Sequence, residues 1–163
     1  MTESVTDAVR AAGGLVDGLL LPWPDDDGAP FWEYARQGEL RVQTCTPCGQ
    51  PRFPPRPCCP GCHSFESHWQ PTSGRGHIWS FVIAHPPLLP AYAEHAPYPV
   101  AVVELDDVPA VRLVGSLTPT SRRPDAPRDA VPVQRLRIGA PVQVVFQSLI
   151  PGVVLPRWAL LGG

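Results

Sequence analysis

The sequence predicts a mainly β protein of 163 residues: short helices at the N-terminus, a small cysteine-held ribbon, then a five-stranded antiparallel barrel. Three observations predict it. Twenty-three prolines exclude long helices and favour short strands, turns and extended loops. Cys45, Cys48, Cys59 and Cys62 stand as two Cys-x-x-Cys pairs with ten residues between them. From Gly74 onward, β-branched runs alternate with Gly/Pro-rich turns. A hydrophobic content of 44% supports a packed core, and a net charge of −2 leaves no strong global field.

The chain opens on a predicted helix over residues 2–12. Thr2 or Ser4 can cap it, Val5, Ala8, Val9 and Ala12 line one side, and Gly13-Gly14 ends it. Residues 15–24 are apolar but broken by glycine and proline, so they cannot form a long helix. Leu19, Leu20, Leu21 and Trp23 are therefore either a partner surface or a segment packed back on its own domain. Asp25-Asp26-Asp27, then Pro30, then Gly38 mark a second helix over about 29–37. Its aromatic content is Phe31, Trp32 and Tyr34, and Phe31 and Trp32 join the candidate partner surface.

A strand over 39–44 leads into the first cysteine pair, a proline-rich crossing spans 51–57, and a strand over 67–72 leads out of the second pair. Two such pairs aim four thiolates at one point, the tetrahedral soft-donor set preferred by structural Zn²⁺. Gly49 after the first pair and Gly61 inside the second supply permissive backbone. Two other readings compete: a disulfide framework, and iron in the same site for electron transfer. His63 and His68 lie nearby, but the complete cysteine set makes them unnecessary as ligands. A closed four-thiolate shell leaves no position for substrate, so the metal's expected role is structural. Cys58 reads as a small filler beside a ligand. Residues 1–14 lack signal-peptide character and no stretch approaches ~20 apolar residues, so the expectation is a cytoplasmic chain without a membrane span.

The barrel strands read as 77–85, 98–105, 110–117, 141–146 and 152–158, with 136–141 as the turn entering the fourth. Longer loops cover 86–97 and 118–132. No catalytic set can be assembled from these residues. All 13 basic residues are arginine, which excludes lysine Schiff-base chemistry, and no Gly-x-Ser-x-Gly elbow occurs. His85, His95, Glu94 and Glu104 are available acid–base groups whose spacing fixes no dyad. Any contribution to chemistry is expected first from loop 86–97, beside the barrel mouth.

The runs CTPCGQPRFPPRPCCPGC (45–62), SGRGHIWSF (73–81), PYPVAVVEL (97–105) and IGAPVQVVF (138–146) resemble the OB-fold/zinc-ribbon acyl-CoA-associated proteins, long classed as a domain of unknown function. The resemblance covers about residues 30–158, and Cys45, Cys48, Cys59 and Cys62 match that family's metal ligands one by one. It implies a mainly β fold of N-terminal short helices (1–38), a rubredoxin-like zinc ribbon (39–72) and a five-stranded antiparallel OB-fold barrel (73–163). It also implies a non-catalytic subunit that works beside a thiolase-like aldolase or a thiolase, with an acyl-CoA at a shared site. One branch of the family serves steroid side-chain degradation and is often fused to, or next to, a MaoC-like hydratase. Arg52, Arg56, Arg75, Arg122 and Arg123, with Arg128, are the candidate partners for coenzyme A phosphates. Zinc ribbons and OB barrels also bind nucleic acid elsewhere. Against that reading stand a pI near 6.2, the absence of lysine and mostly aliphatic strands, with Trp79 and Phe81 expected in the core.

Overall fold

The structure is a computed structural model and describes residues 4–118, 131 and 133–162. Thr2, Arg122, Arg123 and Arg128 lie outside the described residues.

Helix α1 (Val5–Ala11) is capped by Ser4, whose hydroxyl accepts the Asp7 N–H. A two-residue hairpin follows, β1 (Leu15–Val16) and β2 (Leu19–Leu20), where the sequence reading expected only an irregular apolar stretch. Its turn is Asp17-Gly18, at φ +49° and +76°. Positive φ at both central residues is the primed turn that matches strand twist, so Asp-Gly was a readable signal. Helix α2 (Ala29–Arg36) starts at Ala29-Pro30 and ends before Gly38.

The ribbon sheet places β3 (Arg41–Cys45) between β4 (Pro51–Arg52) and β5 (Ser67–Pro71), all antiparallel. Beyond it, β6 (Arg75–Ala84), β7 (Tyr98–Leu105), β8 (Arg112–Thr118), β9 (Pro141–Ile150) and β10 (Val153–Leu160) close into a barrel in the order β10-β8-β7-β6-β9. One pairing, β10 with β8, is parallel; the others are antiparallel. A short helix α3 (Pro90–Ala93) forms within loop 86–97. No described helix is long and apolar enough to cross a membrane.

The main core fills the barrel with Ile78, Val103, Leu105, Val142 and Trp158. Leu40, Val42 and Phe31 belong to the same cluster, and Phe53 and Trp69 pack against it. Ribbon, α2 and barrel thus bury apolar surface together. A second, smaller core joins Val5, Ala8, Val9 and Leu21 to Val153 at the β9–β10 turn, and Trp32 touches both. Leu21 and Phe31 are therefore corrected from partner surface to interior. Neither is available for docking, because each has an apolar pocket within its own chain.

One strand departs from simple alternation. The β6–β7 register shifts between Ile78 and Ser80, so Trp79 sits in a bulge. Trp79 is consequently on the surface, beneath the Arg112 guanidinium at 4.0 Å, while Phe81 packs on the core. The expectation of a core Trp79 fails for that reason.

Candidate metal centre

The two cysteine pairs form two knuckles with the same hydrogen-bond pattern. In the first, the Gly49 N–H donates to the Cys45 carbonyl at 2.9 Å and the Cys45 N–H to the Gln50 carbonyl at 3.0 Å. In the second, His63 donates to Cys59 at 2.9 Å and Cys59 to Ser64 at 2.9 Å. The residue after each second cysteine has positive φ: Gly49 at +70° and His63 at +60°. His63 thus holds the backbone position for which Gly61 was expected. At Gly61 a Cβ would meet only the end of the flexible Gln50 side chain, so neither its backbone nor its surroundings require glycine.

The knuckles bring the four Sγ atoms within 4.8 Å of one another. Cys45 and Cys62 are 3.4 Å apart, and Cys48 and Cys59 are 3.6 Å apart. A tetrahedron with Zn–S near 2.3 Å spaces its sulfurs about 3.8 Å apart, so the four thiols fit zinc with little adjustment. Cys45 and Cys59 are buried, whereas Cys48 and Cys62 face solvent. His68 contacts Thr46 Oγ1 at 3.5 Å and stays outside the ligand group.

Electrostatics distinguish the four sulfurs. The Cys62 backbone N–H, joined by that of Gly61 and by the Cys48 and Cys45 side chains, holds the Cys59 thiol down to about 6 against burial. Backbone N–H groups of Cys48, Gln50 and Ser64 likewise favour the thiolates of Cys45, Cys48 and Cys62. Burial and the neighbouring thiols nonetheless leave all three above their ordinary value. Within the folded ribbon Cys59 is therefore the thiol most ready to ionise. Because the ribbon unfolds without metal, zinc uptake at pH 7 is expected to release about four protons as the thiols become thiolate ligands, and affinity should fall with acidification. Calorimetry in buffers of different ionisation enthalpy counts these protons; release of one or none at pH 7 would contradict the assignment.

The candidate coenzyme A arginines separate in the structure. Arg52 is buried: its Nε donates to Gln43 Oε1 at 2.8 Å and its Nη2 to the Arg56 carbonyl at 3.1 Å. Gln43 Oε1 also accepts the Arg56 N–H at 2.9 Å, so Arg52 and Gln43 clamp the proline-rich crossing. Arg52 is thus corrected from ligand contact to structural strut, because its head is inside the ribbon. The Arg56 and Arg75 side chains are exposed. Glu104 pairs with Arg112 at 2.7 Å and with His77 at 3.6 Å. His85 is exposed, while His95 and Glu94 lie beside a cleft at the barrel mouth.

Residues 32–67 match the ChsH2 rubredoxin-like zinc ribbon domain, and residues 69–147 match the ChsH2 C-terminal OB-fold domain. A solved chain described as "Ltp2-ChsH2(DUF35) aldolase" is 33% identical with a TM-score of 0.71, over 85% of this chain and 98% of that one. The chain belongs to the ChsH2 (DUF35) family. Its barrel is accordingly an OB-fold, and its thiolate cluster is the structural zinc site of a rubredoxin-like ribbon. A DUF35-family protein of unknown function from Sulfolobus solfataricus shares the fold at 13% identity and a TM-score of 0.54, over 83% of this chain and 86% of that one.

Two curated relatives extend beyond this chain. The "probable enoyl-CoA hydratase alpha subunit" of Thermomonospora curvata is 36% identical over 139 residues. The "3-oxo-4,17-pregnadiene-20-carboxyl-CoA hydratase alpha subunit" of Mycobacterium tuberculosis is 32% identical over 144 residues. The matches cover 84% and 88% of this chain but 39% of each relative, so the chain spans about two fifths of their length.

Proposed function

We propose that this chain is a non-catalytic, zinc-containing accessory subunit of a thiolase-superfamily enzyme acting on acyl-CoA thioesters. The partner is a thiolase-like aldolase that cleaves a carbon–carbon bond in steroid side-chain degradation, and this chain stabilises it and helps shape its acyl-CoA site. The observation that carries the reading is the similarity to nearly the whole of a chain described as part of an Ltp2–ChsH2 aldolase. The steroid carboxyl-CoA name of the mycobacterial relative supports the substrate class. A MaoC-like hydratase is proposed as a further companion, since both curated relatives are named hydratase alpha subunits and are longer than this chain. The closed thiolate set fits a staple rather than a catalyst. A true thiolase complex is the alternative for the same surface.

With Leu21 and Phe31 internal, the proposed docking patch narrows to Leu20 and Trp23, 59% and 61% exposed, flanked by Leu19 and Trp32. Deleting residues 1–28 would also remove Val5, Val9 and Leu21 from the second core, so point changes test docking more cleanly. Leu20→Asp combined with Trp23→Asp is expected to weaken binding to the thiolase-like protein at least tenfold, since tryptophan is a frequent binding hot spot and the two carboxylates would be buried unpaired in the interface. Zinc content and melting temperature should not change. Unaltered affinity in a pull-down titration would remove this patch from the interface.

A further inference from the structure

The ribbon interior holds a cation without a carboxylate to match it. Arg52 of β4 is 6% exposed, yet among the described residues it makes no ion pair. Its partners are neutral: Gln43 Oε1, which accepts from Nε, and the Arg56 carbonyl, which accepts from Nη2. Its Nη1 is buried with no hydrogen-bond partner among the described residues. A cation taken out of water is costly unless an anion lies near it.

The metal centre supplies such an anion. Zn²⁺ cancels only two of four thiolate charges, so the loaded centre is a dianion. The β3–β4 ladder leads from Arg52 straight into it. Arg52 pairs with Gln43 and Pro51 with Thr44, and the next carbonyl, that of Gln50, accepts the Cys45 N–H at 3.0 Å. Residues two apart on a strand share a face, so Gln43 and Cys45 lie on one face, about 7 Å apart. Gln50, two residues before Arg52, brings its Oε1 within 3.7 Å of Cys59 Sγ. The Arg56 carbonyl held by Nη2 stands in the crossing, three residues before Cys59. The guanidinium thus bridges the strand that carries Cys45 and the crossing that delivers Cys59. These are the two buried sulfurs; Cys48 and Cys62 face solvent, where water screens their charge.

We propose that Arg52 is the counter-charge of the zinc centre, its guanidinium offsetting the tetrathiolate dianion from inside the ribbon, on the side of the two buried sulfurs. The residue is not a ligand. It acts through its field at the sulfurs, and its bonds to Gln43 and Arg56 fix the cation where that field is needed. Loading the metal in turn compensates a charge that the ribbon would otherwise bury alone, so Arg52 ties metal uptake to folding. This role belongs to the ribbon itself and does not depend on the accessory-subunit reading.

The test measures zinc affinity of the full chain by competition with a chromophoric chelator. The cobalt(II)-loaded chain adds the sulfur-to-metal charge-transfer band. Arg52→Met removes the charge and keeps an unbranched stem. Zinc affinity should fall about tenfold to a hundredfold, and the band should move to longer wavelength as the sulfurs lose a nearby cation. Arg52→Lys loses the forked bonds but keeps the charge, and should recover most of the affinity and the native band. Gln43→Glu separates the two roles from the other side. It keeps the oxygen that accepts from Arg52 and Arg56 but neutralises the guanidinium, so a strut would gain while a counter-charge is lost. Zinc affinity should again fall about tenfold. If Arg52→Met fails to fold, Gln43→Glu decides. Equal losses in Arg52→Lys and Arg52→Met, a band unmoved by Arg52→Met, or zinc binding unweakened by Gln43→Glu would each leave Arg52 a strut alone and overturn the proposal.

Discussion

Replacing Cys59 by serine is expected to strip the metal and unfold the ribbon. Cys59 is fully buried, and two backbone N–H groups favour its thiolate, so it is the sulfur best prepared to receive zinc. A serine hydroxyl is a neutral, harder donor that cannot replace it. Structural zinc contributes on the order of 10 kcal/mol or more to folding of small thiolate modules, comparable with the ~5–15 kcal/mol stability of a whole domain. The damage should not stop at the ribbon. Leu40 and Val42 share the core of the barrel, and Phe53 and Trp69 pack on it, so losing the ribbon opens the barrel's flank. Elemental analysis and thermal melting check this. Cys59→Ser or exhaustive chelation should each give a zinc-free chain with a lowered, broadened transition, while Cys58→Ser, outside the ligand group, keeps its metal. A zinc-free chain melting like the loaded one would contradict the structural role.

Trp158→Ala carries the second large effect, a loss of about 3–5 kcal/mol from emptying a buried aromatic site. Trp158 is 1% exposed and sits where β10 meets both neighbours, opposite Val144 of β9 and Leu117 of β8. The β8 pairing is the parallel one that closes the barrel, so the indole fills the seam itself. Gly115 shows how tightly it fits. A Cβ there would stand 2.8 Å from the indole Cδ1 and Nε1, so Gly115→Val should destabilise by collision where Trp158→Ala destabilises by cavity. Denaturant midpoints measure both, and a change below about 1 kcal/mol for Trp158→Ala would show that the site collapses without cost.

Most of the architecture was legible in the chain, because its strongest signals are local. Paired cysteines, proline-limited helices and β-branched runs each act over a few residues, and the ribbon and five barrel strands fell near their observed places. What escaped was set by contacts between distant segments. Leu21 and Phe31 read as exposed apolar residues because Val153 and Phe53, their neighbours, come from elsewhere in the chain. Arg52 read as an anion contact because nothing in sequence shows that Gln43 lies across the sheet from it. Trp79 faced the wrong way because one bulge reverses the alternation. The Asp17-Gly18 hairpin was different: its turn chemistry was visible, but two-residue strands give no periodicity to support it. At the metal centre the ligands were legible and the backbone was not, since His63 rather than Gly61 takes the left-handed position.

As the proposed accessory subunit, this chain should complete a thiolase-like enzyme. Co-expressing it with a thiolase-like aldolase while following zinc, co-elution and acyl-CoA cleavage together tests this. One stable complex containing zinc is expected, with carbon–carbon cleavage that requires both chains. A partner fully active alone, with this chain eluting separately and silent toward acyl-CoA thioesters, would contradict it.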